Sequence, residues 1–202
     1  MSIPLNLLEA KLKHGRRALV TLERSMQLRA GIMRHGLRTR PDAEAYDAYS
    51  YQHKGLDWRC HVYVQGQTVR TYAACWWMHG PAKHRQDALD AILFRGPLMP
   101  LHFDSHFFSR WGRRSEVMGV LITNMMGFFK QYPYLQMHAL QHQHRGHQAW
   151  GAAIDRGLIH GHKNGTKLLS CDTFISLDMM GPEEKRLWER LRLKGNGGQK
   201  ET

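Results

Sequence analysis

A chain of 202 residues is long enough for one well-cored domain with an accessory element and short for two independent domains. Hydrophobic residues at 42% and aromatics at 10% support a sizeable core and exclude a wholly disordered chain. Lys and Arg number 29 against 17 Asp and Glu, a formal charge of +12, which favours polyanionic partners, nucleic acid first among them.

The N-terminal run MSIPLNLLEAKLKHGRR places its charges after its apolar residues, the reverse of a secretory signal, and no stretch reaches the ~18 apolar residues of a membrane span. A cytoplasmic protein, or one exported without a cleaved signal peptide, is expected, with no membrane partner. Leu5, Leu8, Leu12, Leu19, Leu22, Met26 and Met33 recur at steps of three and four, interrupted at Gly15 and Arg29. They predict a long amphipathic helix with a narrow seam and a basic outer face. The seam would pack on the parent domain or, alternatively, form a homodimer.

Residues 38–55 contain a proline, many small and polar residues and no sustained period, and are expected to be a linker. WRCHVYVQGQTVRTYAACWWM then holds two β-branched and aromatic runs around Gln65-Gly66, an antiparallel hairpin. HRQDALDAILFRG is expected to be a short helix closed by Gly96. A helix is also expected over Phe103–Arg114, followed by an apolar helix with Ser115 at its N-cap and Pro133 at its end. YLQMHALQH is a candidate strand, and Asn164-Gly165 between two alternating runs predicts a two-residue type I′ hairpin turn. GPEEKRLWERLRLKG closes the chain as a charged helix.

The pattern is α+β: a long N-terminal helix, helices packed on an antiparallel sheet, and a C-terminal helix. The expected organisation is a basic helical arm over 1–40, one α+β domain over 41–194 and a disordered tail over 195–202. Cys60, Cys75 and Cys171 are odd in number and far apart, which fits neither a disulfide framework nor a CxxC zinc site.

In the helix over Phe103–Arg114, His106, Arg110 and Arg114 share one face, with Arg113 beside them, while Phe103, Phe107 and Trp111 form an anchoring stripe. A histidine near paired arginines suits phosphodiester chemistry, since imidazole moves protons near neutral pH and guanidinium groups stabilise charge on phosphate. A metal-free ribonuclease can work in this way. The same arginines on a solvated face would give instead a non-catalytic nucleic-acid-binding or adaptor protein. A third reading, a histidine-ligated metal hydrolase, draws on His142, His144, His147, His160 and His162, but no HExxH or CxxC accompanies them and the nearest carboxylate is Asp155. No metal site and no cofactor is expected.

The run HFFSRWGRR, followed by an apolar helix with GFFKQYP, a glycine-led hairpin and DTFISLDMM, resembles the His-x3-Arg-x3-Arg pattern of phage and bacterial toxin ribonucleases: barnase, colicin-type tRNA nucleases and RelE-like mRNA nucleases. The resemblance covers about residues 101–180. It implies a helix bearing His and Arg on an antiparallel sheet whose strands supply a Thr or Ser, a His or another basic residue. His106 would then be the base or acid, Arg110 and Arg114 phosphate ligands, and Thr173 the hydroxyl that positions phosphate. An RNA substrate and a cognate inhibitor protein are the partners the resemblance implies.

A two-residue turn at Asn164-Gly165 sets His162 opposite Lys167, His160 opposite Leu169 and Arg156 opposite Thr173. Arg113, Arg156, His160 and Lys167 are therefore candidate nucleic-acid contacts, with Arg156 nearest the site. Leu158, Leu169 and Ile175 share that face, so Thr173 is read equally well as a packed strand residue.

Overall fold

The computed structural model describes residues 4–40, 42–78, 89–116, 119–144, 146–165 and 167–196. Its class is α+β, with a long N-terminal helix, nine strands and a C-terminal helix among these residues. Two compact units divide the chain: Met1–Trp77 with Ala91–Leu98, and Met78–Asp90 with Met99–Thr202. No described helix is long and apolar enough to cross a membrane.

The first unit is built on α1 (Leu5–Gly36), whose buried stripe is Leu8, Leu12, Gly15, Ala18, Leu22, Met26 and Ala30. The two residues that break the hydrophobic seam turn out to dock the helix. A Cβ on Gly15 would fall 2.8 Å from the Phe94 ring, so only glycine admits that ring. Arg29 donates to Asp47 at 2.6 Å and lies over the Tyr49 ring. Leu8, Leu12, Leu22 and Met26 of the seam are thus buried within their own unit, the packing on the parent domain, while Leu5 at its start is exposed.

β1 (Glu44–His53), β2 (Leu56–Gln65), β3 (Thr68–Met78) and β4 (Leu89–Phe94) follow one another in the sheet. β1 occupies most of the expected linker. It turns into β2 through Lys54-Gly55, both with positive φ, as a two-residue hairpin requires. β2 and β3 form the expected hairpin, closed from Gln65 to Thr68. LDAILF is strand β4 and not a helix: all six residues are buried, so the run carries no helical alternation to distinguish it.

In the second unit the strand order is β5 (Leu101–Phe103), β9 (Leu168–Ser176), β8 (Gly157–Asn164), β7 (His147–Ile154), β6 (His138–His144). β5 runs parallel to β9, and the rest are antiparallel. One face packs on α2 (Ser105–Arg114) and α3 (Leu121–Gln131) through Phe103, Phe107, Phe108, Trp111, Phe128 and Phe129, mostly edge to face. The other face packs on α4 (Pro182–Asn196), where Leu191, Met180, Leu140, Ala149 and Leu158 form a second cluster.

Phe103 belongs to β5 and not to the helix, which starts at Ser105 behind an Asp104 cap. Ser115 closes the C-terminus of α2, while α3 begins later, at Leu121 behind Val120. The expected tail falls partly on α4, which continues to Asn196; 197–202 lie outside the described residues.

Candidate functional site

The site begins where β5 stops. β5 pairs with β9 only from Leu169 to Cys171, so the remainder of that β9 edge has no strand beside it among the described residues. Backbone groups there need other partners. α2 lies along this edge, held by the Asp104 carboxylate, which accepts from the Phe107 amide at 2.8 Å, and by its buried Phe107, Phe108 and Trp111. Its polar face is thereby fixed against the strand.

Arg110 Nη1 donates to Thr173 Oγ1 at 2.9 Å, and Arg114 Nη1 donates to the Phe174 carbonyl. Arg113 is exposed and bonds its own helix at Ser109 O, 3.4 Å away. His106 is exposed one turn before Arg110. Burial, then the nearby Arg110 and Arg113, hold the Arg114 pKa below its ordinary value, with Asp178 opposing. Two cations, Arg110 and Arg114, are therefore held at one strand edge, with Arg113 beside Arg114 on the same helix. Each guanidinium has five N–H donors, so one bond to protein leaves Arg110 and Arg114 donors for an anion.

The β8–β9 register differs from the expected one. Asn164 pairs with Leu168, so Gly165 to Lys167 form a three-residue connection, and Gly165 takes a positive φ. A bulge between His160 and Gly161 then leaves Asp172 as an extra residue. The partner of Thr173 is consequently His160, not Arg156. Arg156 still reaches the site from elsewhere, donating to Ser115 O at the C-terminal end of α2. Lys167 does not join it: it lies six positions before Thr173 along an extended strand, roughly 20 Å. His160 is half-buried on the face of Thr173.

Two groups on this face were not anticipated. His162 Nδ1 bonds Asp172 Oδ2 at 2.7 Å, both side chains about a quarter exposed (24% and 28%). Further along, His102 bridges Asp90 (Nε2 to Oδ1, 2.7 Å) and Ser170 (Nδ1 to Oγ, 3.4 Å), and Asn164 Nδ2 donates to the same Ser170 Oγ at 3.2 Å. That network is nearly closed to solvent, with Asp90 at 1%, Ser170 at 5% and His102 at 7% exposure. The available signal was Gly161, an isolated glycine in a strand: a Cβ there would lie 2.1 Å from Ser170 O, which only a close backbone approach produces.

Among the described residues no group of three or more His, Cys, Asp or Glu could hold a metal ion. His147 and His162 stack with ring centroids 5.5 Å apart. No protein-family model, curated protein or solved structure matches the chain.

Proposed function

We propose that the chain is a metal-independent endoribonuclease, in which 2′-hydroxyl attack on the adjacent phosphodiester leaves a 2′,3′-cyclic phosphate. One observation carries the reading: Arg110 and Thr173, 63 residues apart and assigned to one phosphate by the resemblance, are bonded at 2.9 Å. In this mechanism Arg110 and Arg114 stabilise the charge that develops on phosphorus oxygens, Thr173 orients the phosphate, and His106 transfers a proton at the exposed end of the same helix face. Arg113 and Arg156 extend the basic surface along the RNA backbone. RNA is the partner, and an acidic inhibitor protein covering the arginines is the natural means of restraint. An RNA substrate places the action wherever RNA is exposed, in the cell's own cytoplasm or in that of a target cell.

The alternative is a nucleic-acid-binding protein that uses the same arginines without chemistry, and His106 separates the two. Purified protein incubated with total RNA, with and without a chelator, should yield discrete fragments ending in 2′,3′-cyclic phosphate. His106→Ala should lower cleavage by roughly 10²- to 10⁴-fold with RNA affinity nearly unchanged. RNA binding without any cleavage, equal in wild type and His106→Ala, would establish the alternative.

A further inference from the structure

We infer that His162, oriented by Asp172, is the general base of this reaction, which makes His106 its general acid. The inference rests on the ribonuclease reading and adds to it the second proton-transfer group that the chemistry requires. Cleavage by an internal hydroxyl needs one group to remove the 2′ proton and another to protonate the departing 5′ oxygen.

The bulge in β9 creates the arrangement. Side chains alternate along a regular strand, so with Thr173 on the face of His160, Asp172 would point to the opposite face. The unpaired extra residue lets Asp172 and Thr173 serve the same face, and the ladder resumes with His162 opposite Ser170. Asp172 can therefore reach His162 while Thr173, its chain neighbour, bonds Arg110. A base-orienting carboxylate and a phosphate-positioning hydroxyl are adjacent residues of one strand. Diagonal neighbours in a sheet lie about 7–8 Å apart, a separation that a ribose and its phosphate can bridge.

Orientation assigns the role. An ionised carboxylate only accepts, so the proton of neutral His162 resides on Nδ1, and Nε2 keeps its lone pair. The ring is held from one side by Asp172 and stacked on by His147, while its side chain stays about a quarter exposed (24%) and so open to solvent. His102 has the same kind of carboxylate partner in Asp90 but is buried, so it cannot meet a polynucleotide. In the step, Nε2 of His162 takes the 2′-hydroxyl proton as the 2′ oxygen bonds to phosphorus. The bond from phosphorus to the 5′ oxygen breaks, and protonated His106 delivers a proton to that oxygen. The products are a 2′,3′-cyclic phosphate and a 5′-hydroxyl, and exchange with water returns both histidines to their starting states.

Two substrates tell base from acid: RNA, and the four ribonucleoside 3′-(4-nitrophenyl phosphates), whose leaving group departs without a proton. His162→Ala should lower kcat on both by roughly 10²- to 10⁴-fold, and added imidazole should restore part of it. His106→Ala should be severe on RNA and mild on the nitrophenyl esters. Asp172→Asn should lower kcat more than it raises KM and shift the acidic limb of the pH profile, a change that a merely structural role would not produce. If wild type cleaves while a folded His162→Ala stays within threefold on both substrates, this assignment falls and the ribonuclease reading stands. Should His162→Ala fail to fold, an Asp172→Asn protein with wild-type kcat and pH profile overturns it equally. Failure of wild type to cleave either substrate removes both.

Discussion

His61 carries a stability cost that pH exposes. It is 5% exposed, its Nδ1 shares a 2.6 Å hydrogen bond with the Tyr46 hydroxyl, and its ring stacks on Tyr72. Burial, then the nearby Arg59, push its pKa from the ordinary 6.5 down to about 4. The unfolded chain takes up this proton near pH 6.5 and the folded chain only near pH 4, so between those values the unfolded state binds more protons. Stability is full above pH 6.5 and falls as the pH drops toward 4, by roughly 3 kcal/mol from this residue. Urea unfolding at pH 7 and pH 4 should show that loss, and His61→Gln should shrink it; an unchanged pH dependence in the variant would exclude His61 as the source. At the same scale, His106, Arg110 and Arg114 were legible because a four-residue repeat depends only on helix geometry. Asp172 and His162 were not, because their meeting depends on one inserted residue that no local pattern announces.

α2 pairs a buried aromatic face with a basic one. Phe107 is wholly buried among Phe103, Phe108 and Phe128, so Phe107→Ala should destabilise the protein by about 3–5 kcal/mol. Asp104→Ala, which removes the helix cap, should cost about 1 kcal/mol. Chemical denaturation of the two variants checks both values, and a Phe107→Ala protein as stable as wild type would mean that the aromatic cluster repacks. Helices α1, α2 and α4 were readable from period, cap and charge. Strands β1 and β4 were not, one because its tyrosines and polar residues suit a turn-rich linker, the other because a run buried on both faces has no period. The Thr173 register failed for a countable reason: the longer turn moves it by three residues and the bulge by one more.

For the molecule as a whole, α1 is structural. Its removal would uncover the β2 surface that Leu8, Leu12, Leu22 and Met26 cover, so a protein lacking residues 1–40 should aggregate or lose cooperative melting. A soluble truncation with a sharp transition would show that the first unit holds together without its helix. The +12 charge predicts RNA affinity that falls with salt, with each phosphate contact adding about 0.7 to the log-log slope for a single strand. The class of fold was visible in the order of elements, whereas the division into two units was not, since β4 and the residues after it return to the first unit from a distance in sequence.

The early end of β5 ties the proposed chemistry to architecture. Arg114 answers a carbonyl on the edge that β5 leaves open, so on the ribonuclease reading a substitution there would remove a proposed phosphate ligand and a partner for the sheet in one stroke. His106, exposed at the far end of the same face, has no such second duty. If the proposed activity holds, a lineage that lost it would shed the histidine freely and retain the arginine, and its members would look like active enzymes to anyone counting basic residues.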